Sequence, residues 1–145
     1  MKILILGAGR VGSSLASTLS KQQYEVSIVD LNKNRLQRLQ EDLDLATEVG
    51  HGSYPSTLKK VGADEETILL AVTNSDECNI TSCQIAKSKF NVKKTICRLS
   101  DASYLDSLDA FGENNIDIAI SPENEVTEHL VDLIKHPGAE QIESF

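Results

Sequence analysis

The chain has 145 residues, enough for one domain with a real hydrophobic core and no need of disulfide or metal staples. A net charge of −8 sets it against phosphate backbones, so no nucleic-acid partner is expected. No apolar run approaches the ~20 residues that a membrane span needs, so no membrane span of its own is expected either. Cys78, Cys83 and Cys97 are an odd number without zinc spacing, and they read as small buried hydrophobes in a reducing compartment.

Short apolar runs alternate with helical patterns along the chain. Residues 3–6 read as a buried strand that breaks at Gly7. Residues 11–21 follow as a helix with Leu15, Ala16 and Leu19 on one face, and residues 25–29 as a second strand. Residues 32–42 form a helix with Leu36 and Leu39 inward, and residues 45–49 a third strand. The second half repeats the plan. It has a short helix at 55–61 opened by Pro55, a strand at 67–72, a helix at 76–89 and a strand at 94–98. A helix at 101–110 capped by Ser100 or Asp101, a strand at 116–120, and a last helix opened by Ser121-Pro122-Glu123 and running to about Lys135 complete it. Alternation of this kind gives an α/β fold. The expected form is a doubly wound, six-stranded parallel Rossmann sheet of order 3-2-1-4-5-6, with helices on both faces. Residues 1–135 would be one domain, and residues 136–145, where 141–145 read as the start of a strand, the beginning of a truncated following segment.

Gly7-Ala8-Gly9-Arg10-Val11-Gly12 fits G-x-G-x-x-G between a strand and a helix. Gly7 suits the tight turn, Gly9 leaves room for a pyrophosphate at the backbone, and Gly12 lets helix and strand pack closely. The amides that open the helix then face the phosphates. Asp30 ends the second strand, eighteen residues after Gly12. A carboxylate there accepts hydrogen bonds from ribose hydroxyls and repels a 2′-phosphate, which favours NAD(H) over NADP(H). Arg35 stands either near the adenine edge or on solvated helix surface.

Other candidates follow later strands, at the edge where open α/β sheets bind ligands. Gly52 and Ser53 could flank an adenine, while His51 reads as a loop histidine. Thr73 and Asn74 either line the nicotinamide-ribose side or cap the helix that begins at Asp76. Arg98 either reaches a phosphate or pairs with Asp76, Glu77 or Asp101. No Ser, Cys or carboxylate stands at catalytic spacing from a histidine, and no Tyr-x-x-x-Lys pattern is present, so no enzyme activity is expected.

Together with residues 1–12, the segments 71–79 (Ala-Val-Thr-Asn-Ser-Asp-Glu-Cys-Asn) and 117–123 (Asp-Ile-Ala-Ile-Ser-Pro-Glu) carry a resemblance over essentially the whole chain. It resembles the N-terminal NAD-binding regulatory (RCK/KTN) domains of Trk-type potassium-uptake systems. The resemblance implies NAD(H) contacts at the turn from Gly7 to Val11 and at Asp30, Thr73, Asn74 and Arg98. It also implies a cytoplasmic subunit peripheral to the inner face of the cell membrane, docked on a membrane potassium transporter. The last helix, after Pro122, would cross to a neighbouring copy in a homo-oligomer. Many members of that type carry Gly-Asp after the third strand, where this chain has Gly52-Ser53. The serine keeps a hydrogen-bonding group there without the carboxylate. Two other readings stay open: the nucleotide-binding half of an NAD-dependent dehydrogenase, and a domain of the same type that senses ATP or ADP.

Overall fold

Alternation within the first strand sets up the core. The computed structural model describes residues 1–112, 114–121 and 127–135. In strand β1 (Lys2–Leu6), Ile3 and Ile5 point to one face of the sheet and Leu4 and Leu6 to the other. Successive side chains of a strand must diverge in this way, and a sheet covered on both faces buries both sets. Ile3 and Ile5 meet Leu15, Ala16 and Leu19 of helix α1 (Arg10–Lys21). Leu4 and Leu6 join a second cluster with Leu58 of helix α3 (Pro55–Lys60) and with Ile80, Cys83 and Ala86 of helix α4 (Asp76–Phe90). Each fully buried Leu or Ile side chain contributes about 1.5–3 kcal/mol.

Strands β2 (Glu25–Asp30), β3 (Ala46–Val49), β4 (Thr67–Ala71), β5 (Lys94–Arg98) and β6 (Ile118–Ile120) complete the sheet. Its order is β3-β2-β1-β4-β5-β6, as expected, and every pairing is parallel. The order reverses between β1 and β4. A crevice opens at the carboxyl ends of strands where the chain winds away in opposite directions, which makes this junction the candidate place for a ligand.

Helix α2 (Lys33–Asp42) starts at Asn32, whose side chain accepts from the amides of Asn34 and Arg35. Helix α4 starts at Ser75, whose hydroxyl accepts from the amide of Cys78 at 3.1 Å. Asp76 and Glu77 in its first turn and Lys87 and Lys89 in its last complement the helix dipole. Asn91 closes it in the left-handed conformation, at φ 54°.

The helix expected over 101–110 is broken. Asp101 caps it as foreseen, accepting from the amide of Ser103 at 2.8 Å, but helix α5 covers only Ala102–Leu105. A 3-10 turn at Leu108–Phe111 follows. Leu105, Leu108 and Phe111 pack against the core at three-residue intervals, which the 3-10 repeat aligns better than the α-helical one.

The last described helix, α6 (Thr127–Lys135), covers α1 through Leu130, Val131, Leu133 and Ile134. Ser14 and Thr127 share a hydrogen bond of 2.8 Å across that contact. Lys94, buried at the start of β5, donates to the carbonyl of Leu133 at 3.1 Å and ties α6 to the sheet. Ser121 is buried just past β6. The opening of the last helix at Pro122-Glu123 and the segment 136–145 lie outside the described residues.

Candidate functional site

The turn after β1 is shaped by what its glycines lack. Gly7 has φ +107°, and a Cβ there would sit 3.0 Å from both Thr73 Cα and the Val72 carbonyl. A side chain is excluded by conformation and by space alike. A Cβ on Gly12 would fall on the carbonyl of Gly7, so only glycine lets α1 begin this close to the strand. Gly9 differs from both. Nothing lies within 4 Å of its missing Cβ, so its surface is open. Gly9 is also the N-cap of α1 and offers no side-chain acceptor. The first-turn amides of Arg10, Val11 and Gly12 are therefore uncapped by any side chain, which is the arrangement that binds an anion.

Asp30 is bound into this turn. Its Oδ1 accepts from the amide of Ala8 at 2.8 Å, and its Oδ2 from the amide of Asn32 at 2.8 Å. The Ala8 amide is thus directed at Asp30. Each carboxylate oxygen has two lone pairs, so acceptor capacity remains for two hydroxyl groups. The side chain stays partly open to solvent.

A cleft of about 600 Å³ runs over the β1–β4 junction. That falls within the range of pockets that hold small molecules. One end is formed by Asp30, Asn32 and Arg35, and by Gly50 to Ser53 after β3. The other end is formed by Thr73 to Ser75 after β4 and by Glu77, Cys78 and Thr81 of α4. Beyond the turn, a smaller recess of about 310 Å³ is bordered by Ala8, Gly9 and Arg10 with Arg35 and Arg38. Arg35 is exposed on α2 and borders both hollows, so it lines the candidate site from the solvated helix surface.

His51 is a loop residue held by its neighbours. Its ring stacks on Tyr54 with centroids 4.6 Å apart, and its Nδ1 lies 2.8 Å from the Ser53 hydroxyl. At the opposite end, Thr73 is fixed by Asn79. The amide and the hydroxyl of Thr73 donate to Asn79 Oδ1 at 3.0 and 2.7 Å. Helix capping falls to Ser75, which leaves Thr73 and Asn74 on the cleft wall. Arg98 lies behind them: its guanidinium donates to the Thr73 carbonyl at 3.0 Å and to Asn74 Oδ1 at 3.4 Å. None of the carboxylates weighed as its partners takes that bond. Asp76 instead accepts from the amides of Ser100 and Asp101, at 2.8 and 2.9 Å. Glu77, on the cleft rim, accepts from the Tyr104 hydroxyl at 3.2 Å, and its charge raises that phenol above its ordinary value.

Three positions depart from what the sequence suggested. Cys78 is half-buried and faces the cleft, while Cys83 and Cys97 are buried as expected. Burial holds the Cys83 thiol well above its ordinary value. Asp76, expected as a possible partner of Arg98, and Asn79, to which the sequence assigned no role, are both buried at the end of a helix stripe that continues through Cys83 and Ala86. Polar residues in a core-facing stripe, close to the ligand edge of a sheet, were the signal. Among the described residues, no group of His, Cys, Asp and Glu could hold a metal ion, and no helix is long and apolar enough to cross a membrane.

The family model described as the TrkA-N domain matches residues 3–122. The Trk system potassium uptake protein TrkA of Halomonas elongata is 42% identical over the whole chain, which spans 32% of that relative. The chain thus spans about a third of the length of the curated relatives it matches. Among solved structures, the GsuK channel bound to NAD superposes with a TM-score of 0.64 at 19% identity, over 79% of this chain and 21% of the channel chain. An anaerobillin reductase, ChuY of Escherichia coli O157:H7, superposes with 0.74 at 14% identity, over 99% of this chain and 96% of its own. A channel and a reductase share this sheet, so the fold by itself does not separate regulation from catalysis.

Proposed function

This chain belongs to the TrkA-N domain family, and from that membership and the cleft we propose that it is the NAD(H)-sensing regulatory domain of a potassium-uptake system. The observation that carries the ligand is the Asp30 carboxylate held 2.8 Å from the Ala8 amide, beside an uncapped helix start. In this reading the adenosine ribose lies on Asp30, with Gly52 and Ser53 flanking the adenine. The pyrophosphate lies along Gly9 to Gly12, and the nicotinamide half reaches Thr73 and Asn74. Arg98 serves by holding the Thr73–Asn74 loop. No bond is made or broken. The ligand acts through its different affinity for two arrangements of the assembly, which biases transport.

The domain then works on the cytoplasmic side, at the inner face of the membrane, against a Trk-type transporter, with copies associating through the region of α6. Its place in a family whose curated members are named as potassium-uptake proteins supports this over the dehydrogenase reading. Calorimetric titration of the purified chain with NADH, NAD⁺, ATP and ADP tests it. Saturable binding of NADH and NAD⁺ in competition is the expected result. Tighter binding of ATP or ADP than of either dinucleotide would move the reading to an adenine-nucleotide sensor. Hydride transfer from NADH to any small substrate by the full-length protein would sink the regulatory reading.

A further inference from the structure

Asn79 is fully buried, yet it belongs to neither hydrophobic cluster. Its side-chain amide makes four hydrogen bonds. Oδ1 accepts from the Thr73 amide and hydroxyl, at 3.0 and 2.7 Å. Nδ2 donates to the carbonyls of Thr73 and Arg98, at 3.1 and 2.9 Å. The capacity of the group is filled by the loop after β4 and the end of β5. Arg98 closes the ring by donating to the same Thr73 carbonyl at 3.0 Å. A network satisfied in this way, inside a region of low dielectric, holds its members in one arrangement.

We infer that Asn79 is the positioning residue of the nicotinamide half of the cleft. It touches no ligand and acts by fixing the backbone and hydroxyl of Thr73 against β5. This rests on the reading that NAD(H) occupies the cleft with its nicotinamide half toward Thr73. It separates the two ends of the site. The adenosine end is held by Asp30 and the glycine turn, and the four hydrogen bonds of Asn79 go to Thr73 and Arg98 instead. A ligand that ends at the diphosphate therefore does not depend on Asn79, whereas the whole dinucleotide does.

The test compares NADH with ADP on the purified chain by calorimetry, using wild type, Asn79→Ala and Asn79→Ser. Asn79→Ala should weaken NADH by about tenfold, the scale of losing a satisfied buried group, and leave ADP within about twofold. Hydrogen exchange should show the Thr73 amide protected in wild type and faster in the variant, which a general loss of stability would not confine to that loop. Asn79→Ser lets water enter in place of the amide, and it carries the same comparison if the alanine variant does not melt cooperatively. Equal losses for NADH and ADP, or no loss for NADH, would overturn the positioning role and leave the functional reading standing. A wild-type chain that binds ADP but not NADH would overturn the functional reading, and this inference with it.

Discussion

Two loops face each other across the cleft and are held by opposite means. The loop after β1 is held by backbone. Its glycines let helix, strand and neighbouring loop approach to contact, and one carboxylate from the adjacent strand fastens the Ala8 amide. The loop after β4 is held by side chains. Asn79 and Arg98 reach it from a helix and from a strand end, and both bond the carbonyl of Thr73. The first design leaves no room for variation at Gly7 and Gly12 but exposes amides to a ligand. The second ties the Thr73 backbone and hydroxyl and the Asn74 side chain to residues elsewhere in the chain. A pocket built this way has one end whose shape is set by sterics and another set by a removable network.

The largest expected effect breaks the steric end. Gly12→Val places side-chain atoms on the Gly7 carbonyl, and urea denaturation should show a loss of roughly 3 kcal/mol or more, the upper range for overpacking a close contact. Gly9→Val should stay within about 1 kcal/mol of wild type in the same measurement, since its position is open, yet abolish NADH binding by filling the phosphate approach. Full NADH affinity in that variant would refute the placement of the pyrophosphate. Asp30→Ala comes next. It should weaken NADH and ADP together by about 1–3 kcal/mol in calorimetry, because both ligands present the same ribose. A loss confined to NADH would erase the distinction between the two ends. Asp76→Ala frees the amides of Ser100 and Asp101 and should lower stability by about 1–2 kcal/mol while leaving ADP binding unchanged.

The smallest effect lies at the amino-terminal ends of the strands, opposite the cleft, and touches neither loop. Lys2 donates to Asp64 at 2.9 Å, and this bond, with the Glu66 amide, holds the Asp64 carboxyl below its usual value near 3.8. A carboxyl depressed in the folded state stabilises above its unfolded pKa, and the contribution is lost as pH falls through the folded one. Lys2→Met should therefore lower the denaturation midpoint slightly at pH 7, and by less once Asp64 is protonated in both states. An equal difference at both pH values would assign the effect to the other bond of the ammonium, to the Gly62 carbonyl at 2.7 Å.

The steric end of the site was legible in the sequence for a physical reason. A glycine requirement is local, so Gly7, Gly9 and Gly12 announce themselves beside the strand they follow. Asp30 is legible because a parallel sheet places the end of the second strand beside the first turn. The strand order followed from the alternation of apolar runs and from crossover handedness. Asn79 was not legible as a site residue, because its partners lie six and nineteen positions away and only the folded sheet brings them together. Arg98 was placed at the right edge of the sheet, but its engagement with Thr73 and Asn74 is tertiary geometry. The break between α5 and the 3-10 turn escaped because Leu105, Leu108 and Phe111 fit either helical repeat until packing selects one.

The close approach of Gly7 to Thr73 has one more consequence. At that point the two loops meet main chain to main chain, with 3.0 Å between a would-be Cβ and Thr73 Cα. No rotamer can lengthen or shorten such a spacer. The floor of the crevice therefore has a fixed gauge, and whatever differs between one bound molecule and another must be absorbed by the walls above it.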